Sequence, residues 1–120
     1  MTTLKRVGFF RELRHGQPDG PKLVETVGSS SGMHDVAIVQ YLKSGVALMV
    51  APGIVRDVLD PDSGPIGSLE ILTDGIYAWP SDLAHYVAVH HVRVPIEFVT
   101  HAAEHGWKIP PLDKSELKLG

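Results

Sequence analysis

The apolar positions of this chain change period along its length, and each change marks an element. Over 34–44, Ile38, Val39, Tyr41 and Leu42 share one broad side of a helical projection, with Gln40, Lys43 and Ser44 opposite. Gly45 follows, where a left-handed cap can close a helix, so the pattern predicts a helix over 34–44. "VALMVA" (46–51) is apolar at every position, which reads as a strand covered on both faces. Pro52 and Gly53 predict a turn. "IVRDVL" (54–59) fits a second strand or a short helical turn, and "DPDSGPIG" (60–67) predicts a loop.

The clearest β pattern is "SLEILTDGIYAWP" (68–80), where two short apolar runs flank Asp74 and Gly75. That pair accepts positive φ, so a hairpin is expected over 69–79. Pro80 then opens a helix over 81–91, with Asp82 near its positive end and Leu83, Tyr86, Val87 and His90 on its inner side. Pro95 opens a last helix that Gly106 ends. Its apolar side is Ile96, Phe98, Val99, Ala102 and Ala103, and its polar side is Glu97, His101, Glu104, His105 and Lys108. At the N-terminal end, 4–10 predicts a strand, 14–21 a surface loop, and 21–27 a short helix capped by Asp19. "GSSSG" (28–32) reads as a flexible break, and 109–120 as an extended, mostly solvated tail.

Helices and strands do not alternate strictly in this order. The expected fold class is therefore α+β, one domain over 1–120, with a small, mostly antiparallel sheet packed against three to four helices. The length of 120 residues and the 43% hydrophobic content suit one modest core. Net charge is −3, and the 11 basic residues are scattered, which argues against binding nucleic acid along its phosphates. There are no cysteines, so disulfides, thiolate metal sites and a cysteine nucleophile are excluded. "MTTLKRVGFF" lacks the features of a signal peptide, and no apolar run is long enough to span a bilayer. A cytoplasmic protein without membrane contact is expected.

Three stretches imitate catalytic motifs. His101, Glu104 and His105 spell H-x-x-E-H, a zinc-protease signature. Both histidines fall on the wet side of the last helix, and no third ligand is evident in the residues that follow, so a solvated helix face is favoured. Adventitious metal binding by His101 and His105 stays open. "GSSSG" matches the nucleophile elbow around Ser30 but lacks the flanking strand and helix. "DPDSGPIGSLE" (60–70) starts like a calcium loop, yet Gly64 and Glu70 each arrive one position early.

Two features carry more weight. His90 lies on the apolar side of its helix and must find a partner. A bond to a backbone carbonyl is the favoured reading. A ligand or proton-transfer role with His91, Asp74 or Asp82 is the alternative. Tyr77 and Trp79 alternate onto one face of the hairpin, near the Tyr86 helix. Facing inward, Tyr77, Trp79 and Tyr86 are core, the favoured reading; facing outward, they form a binding hot spot.

"TDGIYAWPSDLAHYV" (73–87) resembles a pattern of small uncharacterised bacterial proteins of actinobacterial type, T-D-G-x-[WY]-x-W-P-x-x-L-x-Y-Y-V, followed by a proline-led helix like "VPIEFVTHAAEHGW". Thr73, Asp74, Gly75, Tyr77, Trp79, Pro80, Leu83, Tyr86 and Val87 fit; His85 stands where the first tyrosine of the pair would be. The resemblance implies a common fold and no catalytic role. Some proteins of this look act as immunity or accessory partners of bacterial toxins. The expectation is thus a non-catalytic module that binds another protein and needs no cofactor. A small metal- or histidine-dependent enzyme using His90, His91 and Asp74 is the second expectation, and a self-associating structural subunit the third.

Overall fold

A computed structural model describes residues 2–28 and 35–120. Most of the expected flexible stretch, Ser30 included, and the expected first residue of the 34–44 helix lie outside the described residues. The strands are β1 (Thr2–Arg6), β2 (Val46–Arg56), β3 (Pro65–Thr73), β4 (Tyr77–Pro80) and β5 (Leu117–Leu119). The helices are α1 (Asp35–Lys43), α2 (Leu83–His90) and α3 (Ile96–Glu104). The expected helix over 21–27 is one short 3-10 turn, Leu23–Glu25.

The fold is α+β, with a five-stranded sheet in the order β2-β3-β4-β1-β5. Its long ladders, β2 on β3 and β3 on β4, are antiparallel. The two joins to β1, from β4 and from β5, are parallel. Pro52 and Gly53 do not end a strand. β2 runs through them and bulges: the five residues from Val50 to Ile54 face the three from Glu70 to Ser68. Gly53, at φ 105°, supplies the left-handed backbone that this bulge needs. The 109–120 segment is not simply a tail, because β5 adds the outermost strand beside β1.

The expected hairpin is present as β3 and β4. Its connection is three residues, 74–76, rather than two, and side chains hold it. Asp74 Oδ1 accepts from the amides of Ile76 (2.9 Å) and Tyr77 (2.7 Å), and the Thr73 hydroxyl donates to the Tyr77 carbonyl (2.7 Å).

All three helices contribute to the main core on one face of the sheet. Trp79 is fully buried among Tyr41, Leu42, Leu83, Tyr86 and Phe98. Its indole N–H donates to the Leu42 carbonyl at 3.0 Å. Tyr41 and Phe98 set their rings 5.9 and 5.5 Å from it. Gly45 lets this happen, since a Cβ there would stand 2.7 Å from Trp79 Cζ2. A smaller cluster of Leu4, Phe9, Ile71 and Ala78 covers the opposite face. No helix among the described residues is long and apolar enough to cross a membrane.

Candidate metal centre

The pairing of β2 with β3 ends at Arg56, which faces Pro65. The next residue, Asp57, is 1% exposed and turns the chain. Its Oδ1 accepts from the amides of Leu59 (2.8 Å) and Asp60 (3.2 Å), an Asx-type turn. The other oxygen, Oδ2, points at α2. There it meets His85 Nε2 at 2.8 Å and His90 Nε2 at 2.5 Å. Between these histidines in sequence, Tyr86 ties α2 to the same segment. Its hydroxyl accepts from the Val58 amide (3.0 Å) and donates to the Arg56 carbonyl (3.4 Å).

Two imidazole nitrogens therefore converge on one oxygen of a buried carboxylate. The three ligand atoms lie within 4.8 Å of one another. Among the described residues, these are the only three or more histidines and carboxylates so gathered. Burial alone would raise the Asp57 pKa; the hydrogen bonds from His85 and His90, the Leu59 amide and the charge of His90 outweigh it and bring it down to about 2. Asp57 is thus ionised at neutral pH, as a metal ligand must be. Burial, with the nearby Asp82 and Asp57 carboxylates, pushes the Tyr86 hydroxyl up to about 12 against the opposing Val58 bond, so it stays a neutral phenol. The carboxylate has almost no solvent contact, whereas the His85 and His90 side chains are 25% and 19% exposed. The cluster therefore has a wet side.

The donor set of two imidazoles and one carboxylate suits a first-row transition metal better than calcium or magnesium. Donors on a tetrahedral ion sit about 2.0–2.2 Å from it, hence roughly 3.3–3.6 Å apart. The observed 2.8 and 2.5 Å from Asp57 Oδ2 are hydrogen-bond distances, about 0.5–1 Å short of that, so a metal would have to spread the three side chains as it displaced the shared protons.

The residues singled out in the sequence lie elsewhere or play other parts. His90 does find a partner, but it is Asp57 rather than a backbone carbonyl, His91, Asp74 or Asp82. His91 is the left-handed cap residue of α2 (φ 51°) and faces Asp35 at 3.2 Å. Asp74 receives the Tyr41 hydroxyl at 2.5 Å and lies 3.3 Å from His101 Nε2. His90, His91 and Asp74 therefore form no common site. Asp82 is fully buried and pairs with His15 Nε2 at 2.9 Å, close enough for an ion pair though not aligned as a hydrogen bond.

Tyr77, Trp79 and Tyr86 are at most 8% exposed and belong to the core, so they present no binding surface. The H-x-x-E-H helix turns only one imidazole to water. His105 is exposed and donates through Nδ1 to the His101 carbonyl at 2.8 Å. His101 leans inward, over the Tyr77 ring (5.4 Å) and toward Asp74, because that buried carboxylate offers an acceptor at the boundary of the helix. The two ring centres lie 4.5 Å apart with the planes tilted by 45°, and no third ligand is gathered beside them among the described residues.

His85 and Asp57 were not legible as site residues in the sequence. The one visible signal was that His85 replaces the tyrosine of the pattern it otherwise follows. No family model, curated protein or solved structure matches this chain.

Proposed function

We propose that this protein binds a divalent transition-metal ion through Asp57, His85 and His90, and that this centre is its working site. The observation that carries the reading is the meeting of both Nε2 atoms on one buried carboxylate oxygen, 2.8 and 2.5 Å away. A purely structural carboxylate needs no second imidazole on the same oxygen, least of all when both imidazoles keep some contact with water, at 25% and 19% exposure. Three protein ligands would leave coordination positions for water on the wet side. A metal-bound water there would lose its proton far more readily than bulk water, the usual starting point for hydrolysis or hydration.

The test is metal uptake by protein purified without a histidine tag. Cobalt or zinc should bind with one equivalent per chain. At a free concentration of about 100 Kd, the ion should stabilise the fold by about 2.7 kcal/mol. His85→Ala and His90→Ala should each weaken uptake by about tenfold or more, while His101→Ala and His105→Ala leave it unchanged. Uptake that is substoichiometric, or that survives both α2 substitutions, would remove the proposal.

A second reading, binding to another protein, has its own support. β2 is a sheet edge, and Met49, Val50 and Ile54 along it are 45%, 68% and 59% exposed. A long apolar edge invites a partner strand. It agrees with the resemblance to immunity-type proteins. Size-exclusion with light scattering distinguishes a second copy of the chain from an unrelated partner.

A further inference from the structure

A cavity of about 230 Å³ lies where the exit of β1 meets the loop before α1 and the link between α2 and α3. It shares no residue with the metal centre. Its walls are mostly apolar and include Phe9, Phe10, Val94 and Pro95. Among the described residues, two cations, Arg6 and Arg93, also line it, and no carboxylate side chain does. In a chain of net charge −3, this lining gathers two guanidiniums, of which Arg6 is already held by the Gly120 oxygen.

The walls are braced before any ligand arrives. The Gln17 amide donates to the Phe9 carbonyl at 3.3 Å, and the Arg93 amide to the Thr26 carbonyl at 3.0 Å. Three distant segments are thereby fixed around the space, as a pre-formed site requires. Arg6 is held in place: its guanidinium lies 4.8 Å from the Phe9 ring centre and its Nε–H donates to the Gly120 oxygen. An oxygen acceptor is thus already seated against one of the two guanidiniums. Arg93 is exposed and stands at the mouth.

We propose that this cavity binds a small amphipathic carboxylate, its apolar body against Phe9, Phe10 and Val94 and its carboxylate on Arg93. An apolar pocket with a few placed polar groups is the usual form of a small-molecule site, and a guanidinium fork matches a carboxylate in geometry. The volume falls below the roughly 300–1,000 Å³ of drug-sized pockets, so the occupant is a single ring or a short chain. The site does not rest on the metal centre.

Benzoate and hexanoate, with benzamide and hexanol as neutral counterparts and hexylamine as the cation, test the assignment by amide-detected NMR titration. The carboxylates should bind with Kd of about 1 mM or tighter and shift the amides of residues 7–10 and 93–94. The neutral and cationic probes should bind about tenfold more weakly. Arg93→Gln, at an exposed position, should leave the fold intact and reduce the carboxylates to the level of the neutral probes. Equal binding of anionic and neutral probes, shifts confined to other parts of the chain, or carboxylate affinity that survives Arg93→Gln would each overturn the proposal.

Discussion

Replacing Asp57 with asparagine keeps the shape of the side chain and removes its charge. The asparagine carbonyl can still accept from the Leu59 and Asp60 amides, which Asp57 Oδ1 holds at 2.8 and 3.2 Å. What disappears is the charge-assisted pairing with His85 and His90. The Asp57 pKa falls from 3.8 to about 2 on folding, which corresponds to about 2 kcal/mol of stability at neutral pH. A folded carboxylate with a depressed pKa binds fewer protons than the unfolded one. Its contribution is therefore complete above about pH 5 and fades as pH drops through 3.8 toward 2. Urea denaturation of chelator-treated protein reads this directly. At ~pH 7 the Asp57→Asn variant should be less stable by about 2 kcal/mol, or about 3 if its amide finds no partner against the imidazoles. Near pH 3 the gap should shrink by roughly half. A gap that stays constant over that range would mean that Asp57 acts through packing alone. No gap at neutral pH would mean that the carboxylate is not coupled to the histidines at all, and the electrostatic description of the centre would fail.

Two other changes probe the scaffold. Tyr41→Phe removes the hydroxyl that Asp74 Oδ2 accepts at 2.5 Å and leaves that buried oxygen with only His101, 3.3 Å away; urea melts should show a loss of about 1.5–3 kcal/mol, and a loss under about 0.5 would contradict the assigned bond. Gly45→Ala drives a methyl to 2.7 Å from Trp79 Cζ2 and 2.9 Å from Leu72 Cβ, so a cost of about 1–3 kcal/mol and a changed tryptophan fluorescence are expected, whereas an unchanged melt would mean that the indole has room to shift.

The elements that the sequence displayed are those whose cause is local. The stripe of Ile38, Tyr41 and Leu42 is α1's buried side, and Asp74 with Gly75 does turn a hairpin. Even there, the turn type depended on something finer than the pair itself, because the Asp74 carboxylate and the Thr73 hydroxyl hold a three-residue connection. The misread pair, Pro52 and Gly53, has a similar explanation. Proline and glycine interrupt a strand pattern whether the chain leaves the sheet or merely bulges, and only the pairing with β3 distinguishes the two. The parallel joins of β1 to β4 and β5 leave no local trace at all. They bring Lys5 beside Tyr77 and Thr2 beside Leu117, and no periodicity reports a contact over that separation.

The candidate centre was hidden for a related reason. Ligands on one helix are usually sought three or four residues apart, because those positions share a face. His85 and His90 are five apart and do not share one. Asp57 unites them from 28 and 33 residues upstream by entering between their two directions. His101 and His105 have the favoured spacing, yet no carboxylate approaches between them to complete a set of three among the described residues. Helical spacing fixes where imidazoles start, but the position of a third group on another element decides whether they converge. Asp57 can occupy that position because β2 stops pairing one residue earlier and its Oδ1 is spent on the turn, which leaves Oδ2 no direction but toward α2. The same turn that ends the strand therefore aims the ligand, and a substitution that altered the turn without touching a histidine would disperse the centre.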